Sequence, residues 1–510
     1  MVMTGLPMPL FMASITAVVL IALAYFFLFP WQGKGRLEKG DERSYRTYDL
    51  LKLNILKRLV SKRSFQFSIQ LPLVLLFMLV IFAGLFGTQL PSKNIAPILT
   101  WTIWWVGIVF AIVLMGKIWC LMCPWVAIGD WLKRFSLWKK VNVTYGFEKK
   151  WPQRWRNIYA ATLLFILLTW LELGFGITYS PRASALLGLL MLIMVVGPLI
   201  IFERKSFCRY ACLVGRISGL YALFSACELR SKDREICKNC KTSDCLRGND
   251  KGYGCPTFEY LGNMELNTYC ILCSECVKTC PHDNVAFNLR PFAVDLTKPK
   301  RLRPDEAYLA LIMLSLAFFH GISMTPYWPE LIKRIAGVIP LGYLAAFTLG
   351  MLALMALPSL IYLLFAWLSK LLSGNKGVTL KRVAINFAYA MLPVALLYHL
   401  AHNTQHLLRE GASLIPVLSD PFGWGWDLFG TANWQPKPIL SMTGVWYGQI
   451  FFIIAGAVYG LDIASKLASI IFPQPKEALK GQLPILLLVI GFTILSLWLI
   501  HLPMQSRTAM

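Results

Sequence analysis

Long apolar stretches recur along the chain and are separated by polar segments. A helix needs about 20 apolar residues to cross the hydrocarbon core of a bilayer. Ten stretches of that kind are predicted, at residues 8–29, 68–88, 97–116, 158–178, 183–203, 306–324, 337–368, 383–407, 445–471 and 484–502. The stretch over 337–368 is overlong and contains Pro358, which predicts a kinked or tilted helix. The first stretch is not interpreted as a cleaved signal peptide, because its basic residues follow it and none precedes it.

One polar segment interrupts this pattern between the fifth and sixth stretches. Residues 227–305, here called the insert, are rich in Cys, Gly, Asp, Lys and Asn and lack the hydrophobic period of a long helix. The chain therefore divides into an N-terminal membrane domain of five helices (1–226), the insert, and a C-terminal membrane domain of five helices (306–510). The predicted fold class is an all-α polytopic membrane protein with one inserted polar domain.

Composition and charge support a membrane protein with a defined orientation. Hydrophobic residues make up 57% of the chain, and the net charge is +24. The basic residues concentrate in alternate loops, as in proteins whose basic loops stay in the cytoplasm, and this pattern argues against nucleic acid as a partner. The loops predicted on the cytoplasmic side are 30–67, 117–157, 204–305, 369–382 and 472–483. Both termini are then external, in a multi-pass protein of the bacterial cytoplasmic (inner) membrane in contact with its lipid.

Eight of the thirteen cysteines form two consecutive groups in the insert. The first group is Cys237-x2-Cys240-x4-Cys245-x9-Cys255 followed by Pro256, and the second is Cys270-x2-Cys273-x2-Cys276-x3-Cys280 followed by Pro281. Such runs bind iron–sulfur clusters in bacterial ferredoxins. Paired CxxC motifs also form zinc sites, but the doubled Cys-Pro ending favours clusters. A single cluster in the second group, beside a degenerate first group, is the alternative. A reducing compartment also favours ligand cysteines over disulfides.

Four further cysteines, here called the tetrad, end two helices at the predicted cytoplasmic face. Cys120 and Cys123 follow the third stretch, and Cys208 and Cys212 follow the fifth. Each pair comes after a basic and an aromatic residue, so a repeated helical hairpin explains the spacing. Four converging thiolates suit a metal or a redox-active dithiol pair; reduced thiols without a role are the alternative. The remaining Cys227 is interpreted as a buried structural thiol.

These motifs resemble membrane-bound polyferredoxins of the NapH, NosR and CcoG types over roughly residues 65–300. Phe207-Cys208-Arg209-Tyr210-Ala211-Cys212 followed by Gly215 is similar to their second membrane motif, and Trp119-Cys120 through Cys123-Pro124 to their first. The first pair here is C-x2-C-P instead of C-x3-C-P, and Leu213 replaces the expected proline. The resemblance implies that the insert is a ferredoxin-like α+β domain with two [4Fe–4S] clusters. One cluster would bind Cys237, Cys240, Cys245 and Cys280, and the other Cys270, Cys273, Cys276 and Cys255.

Five of the six histidines fall near the predicted outer ends of three helices. His399, His402 and His406 share one helical face, because offsets of three and seven residues place them within about 60° of arc. His320 and His501 end two other helices on the same side. Such a set suits a bis-histidine haem b, a quinol pocket or a transition metal; interfacial histidines without a role are the alternative. The next loop contains three tryptophans that form an interface belt or a lid: Trp424, Trp426 and Trp434.

The sequence contains no phosphate-binding glycine loop, HExxH helix or other motif of a hydrolase or nucleotide-driven pump. It predicts an electron-transfer component of an oxidoreductase, linking a cytoplasmic carrier to quinone, haem or partner redox subunits. The two faces of the membrane lie about 30 Å apart, so transfer across it requires an intermediate centre. The alternative functions are a maturation factor, which reduces or delivers a metal for a partner oxidoreductase, and a structural anchor subunit.

Overall fold

The computed structural model describes residues 2–28, 45–298, 303–338 and 342–505. Within these ranges, nine helices are long and apolar enough to cross a membrane: Met8–Phe26, Ser64–Phe86, Ile95–Met115, Pro181–Ile201, Pro304–Ser323, Gly342–Ser373, Leu380–Ser419, Met442–Ile471 and Pro475–His501. The fourth predicted span is a shorter apolar helix, Tyr159–Gly174, of 16 residues and about 24 Å. The prediction of an all-α polytopic protein is confirmed.

Several predicted spans differ from the observed helices in their limits. The helix Gly342–Ser373 has 32 residues and continues through Pro358. The segment Leu380–Ser419 extends the predicted span 383–407 at both ends and contains a π-helical turn, His406–Glu410. The shorter helices are Asn54–Ser61, Ile118–Met122, Pro124–Arg134, Ser206–Tyr210, Leu213–Tyr221, Arg234–Lys238, Asp244–Arg247, Glu275–Thr279 and Tyr327–Val338.

The insert contains a small antiparallel sheet. Cys227–Ser231 pairs with Val285–Leu289, so the strands at the two ends of the cysteine-rich segment lie side by side. The strand Tyr48–Asp49 pairs with the other edge of Val285–Leu289. A piece of the N-terminal loop is therefore part of the insert's sheet, a contact that hydropathy did not predict. Two parts of these predicted regions lie outside the described residues: residues 29–44, which include the start of the basic loop, and residues 299–302 near the end of the insert. The other strands are two short pairs: Val2–Met3 with Met504–Gln505, and Gly248–Asn249 with Gly252–Tyr253.

Loops that the charge pattern assigns to one side of the membrane contact one another. Lys140 donates a hydrogen bond to the carbonyl of Asn249 in the insert at 2.5 Å. At another point, Asn375 donates to the carboxylate of Glu477 at 2.7 Å. These contacts join the loop over 117–157 to the insert, and the loop over 369–382 to that over 472–483.

A buried ionic network holds the end of the insert together. The Nη1 atom of Arg290 lies 2.8 Å from Asp295 and 3.1 Å from Glu228, and all three side chains are fully buried. Arg230 adds a second cation 3.2 Å from Asp295. Arg290 also donates to the backbone carbonyls of Ser225 and Ala222. The network therefore ties the insert to the chain that leaves the membrane domain.

A short helix, Leu213–Tyr221, lies between the insert and the membrane helices and is here called the interface helix. Nearly every residue in it is buried. Gly219 lies against the insert, since a Cβ atom there would stand 2.4 Å from the carbonyl oxygen of Thr268. The opposite side of the helix faces the membrane helices, where Tyr221 reaches His399. This helix is one of the contacts through which the insert packs on the bundle; Gln66 of the helix Ser64–Phe86 makes another, by donating to the carbonyl of Cys273 at 2.6 Å.

The ends of the described chain pair with each other. Val2–Met3 and Met504–Gln505 form an antiparallel pair, and Leu6 donates its backbone N–H to the carbonyl of Ile500 at 3.0 Å. Both ends therefore lie on one side of the bundle, as the parity of the predicted spans requires.

Replacement of Asp295 by Asn should destabilise the insert strongly. Removing one partner of a buried ion pair leaves a buried charge without compensation, which costs about 3–5 kcal/mol. Native-state proteolysis of the insert in membrane vesicles should accelerate at least about 100-fold, because cleavage follows the population of the opened form. Asp283→Asn is the matched control: its side chain is 57% exposed and pairs with Lys57, and exposed pairs contribute about 1 kcal/mol or less. Equal rates for the two variants would contradict the role of the network.

The loss of stability caused by Asp295→Asn should also depend on pH. Burial alone would raise the pKa of Asp295, but the charges of Arg290 and Arg230 outweigh it and hold that pKa well below the usual range. A depressed folded-state pKa stabilises the fold above the unfolded value, about 3.9, and this contribution disappears as the pH falls through the folded value. The difference in proteolysis rate between wild type and variant should therefore be full at pH 7 and shrink below about pH 4. A difference that does not change with pH would show that the carboxylate charge is not what stabilises the insert.

Candidate functional site

Three cysteines of the first group and the last cysteine of the second group line one cavity. Its cysteines are Cys237, Cys240, Cys245 and Cys280, the set that the resemblance assigned to one cluster. Two hydrogen bonds to sulfur come from Asn284: its side chain donates to Cys237 Sγ at 3.3 Å, and its backbone N–H to Cys280 Sγ at 3.4 Å. Burial raises the pKa of Cys245 to about 11, and the nearby Cys237, Cys280 and Cys240 thiolates also raise it.

The second cysteine group comes together around Cys255. Burial raises the pKa of Cys276 well above its ordinary value, and neighbouring thiolates raise it further. Those thiolates belong to Cys273, Cys270 and Cys255 and, to a smaller extent, to Cys245 of the first group. Cys255 accepts a backbone N–H from Glu259 at 3.3 Å. The two sets of four sulfurs are thus neighbours within the insert, and each takes one cysteine from the other sequence group.

The backbone around these cysteines is shaped to face a negatively charged group. Leu272 and Ser274, on either side of Cys273, have left-handed φ values of 55° and 58°, which non-glycine residues rarely adopt. Left-handed residues of this kind form concave nests of N–H groups that bind anions, including iron–sulfur clusters. The backbone N–H groups of Leu272 and Glu275 stabilise the Cys270 and Cys273 thiolates. The local strain is explained if the nest binds such a group.

The cysteine groups differ from a preformed site for a single metal ion. Among the described residues, no three His, Cys, Asp or Glu side chains are packed closely enough to hold a single metal ion. A zinc ion holds its sulfur ligands roughly 4 Å apart, whereas a cube of four irons and four sulfides keeps them further apart. Cysteines that line a cavity, with N–H donors directed at them, are ligands of the kind that both zinc ions and iron–sulfur clusters take.

The tetrad meets in a separate cavity, at the junction of the membrane domain and the insert. Its lining includes all four tetrad cysteines, namely Cys120, Cys123, Cys208 and Cys212. Cys123, Cys208 and Cys212 are each less than 10% exposed. Gly215 donates its backbone N–H to Cys212 Sγ at 3.4 Å, and Ile271, next to Cys270 of the second group, lines the same cavity. The residue next to Cys270 in sequence is therefore part of the wall of the tetrad cavity.

Two buried cations lie beside the tetrad. Lys117 and Arg216 are each only 1% exposed, and both donate to the carbonyl of Thr268. Burial, and then the charge of Arg216, lowers the pKa of Lys117 to about 8, although the tetrad thiolates act in the opposite direction. In the described part of the chain, Nε and Nη1 of Arg216 have no hydrogen-bond partner. Buried charge of this kind is costly unless an opposite charge balances it.

Two of the five predicted histidines are in direct contact. The His402 and His406 rings lie 5.1 Å apart, and His406 is 3.3 Å from the carboxylate of Glu410. The two histidines lie one turn apart on the same helix, so a porphyrin placed between them would overlap the helix backbone. A haem bound by this helix would need its second ligand from another helix.

The other three histidines have different partners. His399 Nδ1 shares a hydrogen bond of 2.7 Å with the hydroxyl of Tyr221 on the interface helix. His320 lies 3.9 Å from the buried carboxylate of Glu172. His501 donates to the carbonyl of Leu6 at 2.5 Å and stacks on Phe11, which places it with the first helix. The shared helical face thus brings His402 and His406 together and turns His399 towards the interface helix.

Several residues that complete these sites were not identified from the sequence. Asn284 lies four residues after Cys280, and Arg216 lies four residues after Cys212. A charged residue in an otherwise apolar helix is a usable signal for Arg216. Glu172 gave the same signal, because it is the one charged residue in the helix Tyr159–Gly174. Tyr221 and Glu410 gave no such signal.

Comparisons with known proteins yield one similarity. No family model matches the chain, and no solved structure matches it. Among curated proteins, the chain is similar to an uncharacterized protein of Methanocaldococcus jannaschii, with 29% identity over 192 residues. The match covers 36% of this chain and 68% of that protein. The name of the relative assigns it no activity, so the similarity carries no functional information.

Replacement of Gly219 by Ala should loosen the insert from the membrane domain. The added Cβ would lie 2.4 Å from the carbonyl oxygen of Thr268, so the segment around Thr268 must move. Overpacking of this kind costs about 1–3 kcal/mol, and hydrogen exchange over residues 266–272 should accelerate about 5- to 150-fold. Gly197→Ala is the control, because a Cβ there has no atom within 4 Å. Unchanged exchange in the Gly219 variant would show that this contact does not hold the insert.

Proposed function

We propose that this chain is an integral membrane iron–sulfur protein that passes electrons between a cytoplasmic carrier and an acceptor in the membrane or a partner redox subunit. The observation that carries the proposal is the pair of four-cysteine groups, each completed by a cysteine from the other, in an insert packed on the membrane helices. In this proposal the insert is a ferredoxin-like domain. Its side of the protein is the cytoplasmic side of the bacterial inner membrane, because the basic loops contact it.

The insert's residues would bind two [4Fe–4S] clusters, each of which supplies one-electron redox chemistry when bound. Cys237, Cys240, Cys245 and Cys280 would bind one, and Cys270, Cys273, Cys276 and Cys255 the other. Asn284 donates to two of these sulfurs, and the nest at Cys273 directs backbone N–H groups inwards. Hydrogen bonds to ligand sulfurs and exclusion of water set the potential of such sites.

The tetrad is proposed as a third redox site, between the insert and the membrane. Four thiolates around a [4Fe–4S]²⁺ core have a net charge of about −2, which would balance the charges of Lys117 and Arg216. Both cations are nearly inaccessible to solvent, so water cannot screen them. A neutral dithiol pair would leave both charges unbalanced. The charge at this junction thus favours an anionic centre.

The histidine region is proposed as the far end of this route. Tyr221 connects the interface helix to His399, and His402 and His406 follow along the same helix towards the opposite side. From His399 to His406 the helix rises about 10 Å. Buried ionisable groups inside a membrane domain commonly mark a path or a site. The region would serve a haem, a quinone or a metal as an intermediate centre.

Metal analysis of one cysteine variant tests the exchange of ligands between the two groups. Full-length protein purified without oxygen should contain at least about eight non-haem irons. Cys280→Ser should lose about four of them, because its sulfur belongs with the first group. Cys227→Ser is the control, since Cys227 is a buried cysteine at the start of the insert that lies outside both groups, whereas Cys280 is half-buried. The control should lose none.

Other outcomes of the same analysis are also decisive. Zinc in place of iron in the wild-type protein would overturn the proposal. The Cys280 variant could instead lose the cluster signal that depends on Cys270, Cys273 and Cys276 and keep the cluster signal that depends on the first group. That result would overturn the exchange of ligands. Stoichiometric copper that disappears with Cys208→Ser would instead support a maturation factor.

A further inference from the structure

A large apolar cavity lies in the N-terminal membrane domain, apart from the histidine region. It is bounded by the helices Ser64–Phe86, Ile95–Met115 and Pro181–Ile201 and has a volume of about 280 Å³. Leu76 at its edge is 39% exposed on the outer surface of the bundle. Since that surface faces lipid in a membrane protein, the cavity is open to molecules dissolved in the bilayer.

Three tryptophans in the wall of this cavity have indole N–H groups without an acceptor. The ring of Trp104 lies 5.2 Å from that of Trp119 and 5.9 Å from that of Trp125. Within the described residues, the Nε1 atoms of all three are buried and make no hydrogen bond. By contrast, Trp101 in the same wall donates its indole N–H to Ser184 at 2.9 Å. Buried donors without acceptors are rare in folded proteins, and three around one cavity require an explanation.

The backbone at the cavity is also irregular. Ile98–Trp104 forms a π-helical turn within the third membrane helix. Such turns are uncommon and often occur at functional sites. This turn carries Trp101 and Trp104, so it sets the positions of one bonded and one unbonded indole.

The cavity shares its wall with the tetrad. Trp119 precedes Cys120, and Trp125 follows Cys123 and Pro124. Trp119, Trp125 and Val214 line both cavities. A molecule in the tryptophan-lined cavity would therefore be separated from the tetrad by a single layer of side chains.

We infer that this cavity binds the head group of a lipid-soluble quinone. A quinone has a flat ring that packs against indoles, carbonyl oxygens that accept hydrogen bonds from their N–H groups, and an apolar tail that extends into lipid past Leu76. An acyl chain of a membrane lipid would fill the same apolar space but would leave all three donors unbonded. The inference rests on the proposed function only for what the bound quinone does, which is to exchange electrons with the tetrad side of the protein.

Photolabelling in lipid nanodiscs tests this site. Full-length protein is labelled with an azido-quinone, and decylubiquinone and decylbenzene compete for the site. Label should appear in peptides that contain Trp104 or Trp119–Trp125. Decylubiquinone should compete, and decylbenzene, which has a similar tail but no carbonyl groups, should not.

Two matched variants separate hydrogen bonding from shape. Trp104→Phe keeps an aromatic ring but removes an unbonded donor, so half-competition by decylubiquinone should require about tenfold more. Trp101→Phe removes an N–H that Ser184 already accepts, and it should shift competition less than about threefold. Equal thermal midpoints for the variants and the wild type exclude a folding defect.

The outcomes distinguish a quinone from an acyl chain in the cavity, and they separate the quinone proposal from the cluster proposal. Competition by decylbenzene equal to that by decylubiquinone, or no effect of a Trp104→Phe/Trp119→Phe double variant, means that the cavity holds only acyl chains. Label confined to peptides around His399–His406 places the quinone elsewhere and overturns the inference. Labelling is also measured in the Cys280→Ser variant. Labelling by the azido-quinone does not depend on iron content. Failure of the cluster proposal would therefore show in the iron content, and failure of the quinone site would show in the labelling.

Discussion

The close contact between the interface helix and the insert is the constraint on which the other sites depend. Gly219 has no side chain, and the carbonyl of Thr268 occupies the space that a Cβ would need. This contact brings the segment with Cys270 against the helix that begins after Cys212. It therefore sets the separation between the second cysteine group and the tetrad. A small residue at this point therefore allows the insert to approach the membrane domain closely.

The same junction is unusual in its charge. Interfaces within a protein ordinarily pair their buried charges, as the network of Arg290, Asp295 and Glu228 does a short distance away. At the tetrad, however, Lys117 and Arg216 donate only to a backbone carbonyl, to judge from the contacts within the described residues. The contrast separates a network that stabilises the fold from a site that is suited to an anionic group.

Hydropathy and cysteine spacing predicted much of the architecture, and their failures have physical causes. Nine predicted spans correspond to long helices among the described residues, but the fourth is only 16 residues long, because hydropathy measures composition and not where a helix ends. The strand Tyr48–Asp49 is part of the insert's sheet. It has only two residues, which is too short for the alternation of apolar and polar positions that predicts a strand. Helical periodicity placed His399 beside His402, yet an angular offset of about 60° is enough to turn it towards Tyr221. The unbonded indoles had no sequence signal, because a void between helices is a property of packing alone.

The pairing of the two chain ends has a consequence for assembly in the membrane. His501 contacts the carbonyl of Leu6 across 495 residues of sequence, and the first helix packs on the last two. At translation rates of about 5–20 residues per second, the first helix waits roughly 25–100 s in the bilayer before its partners exist. During that time its apolar surface is matched only by lipid. The helix that is made first thus finds its partners only when the last two helices have been made. A ribosome that stalls before the final span leaves the first helix exposed to foreign partners and to quality-control proteases.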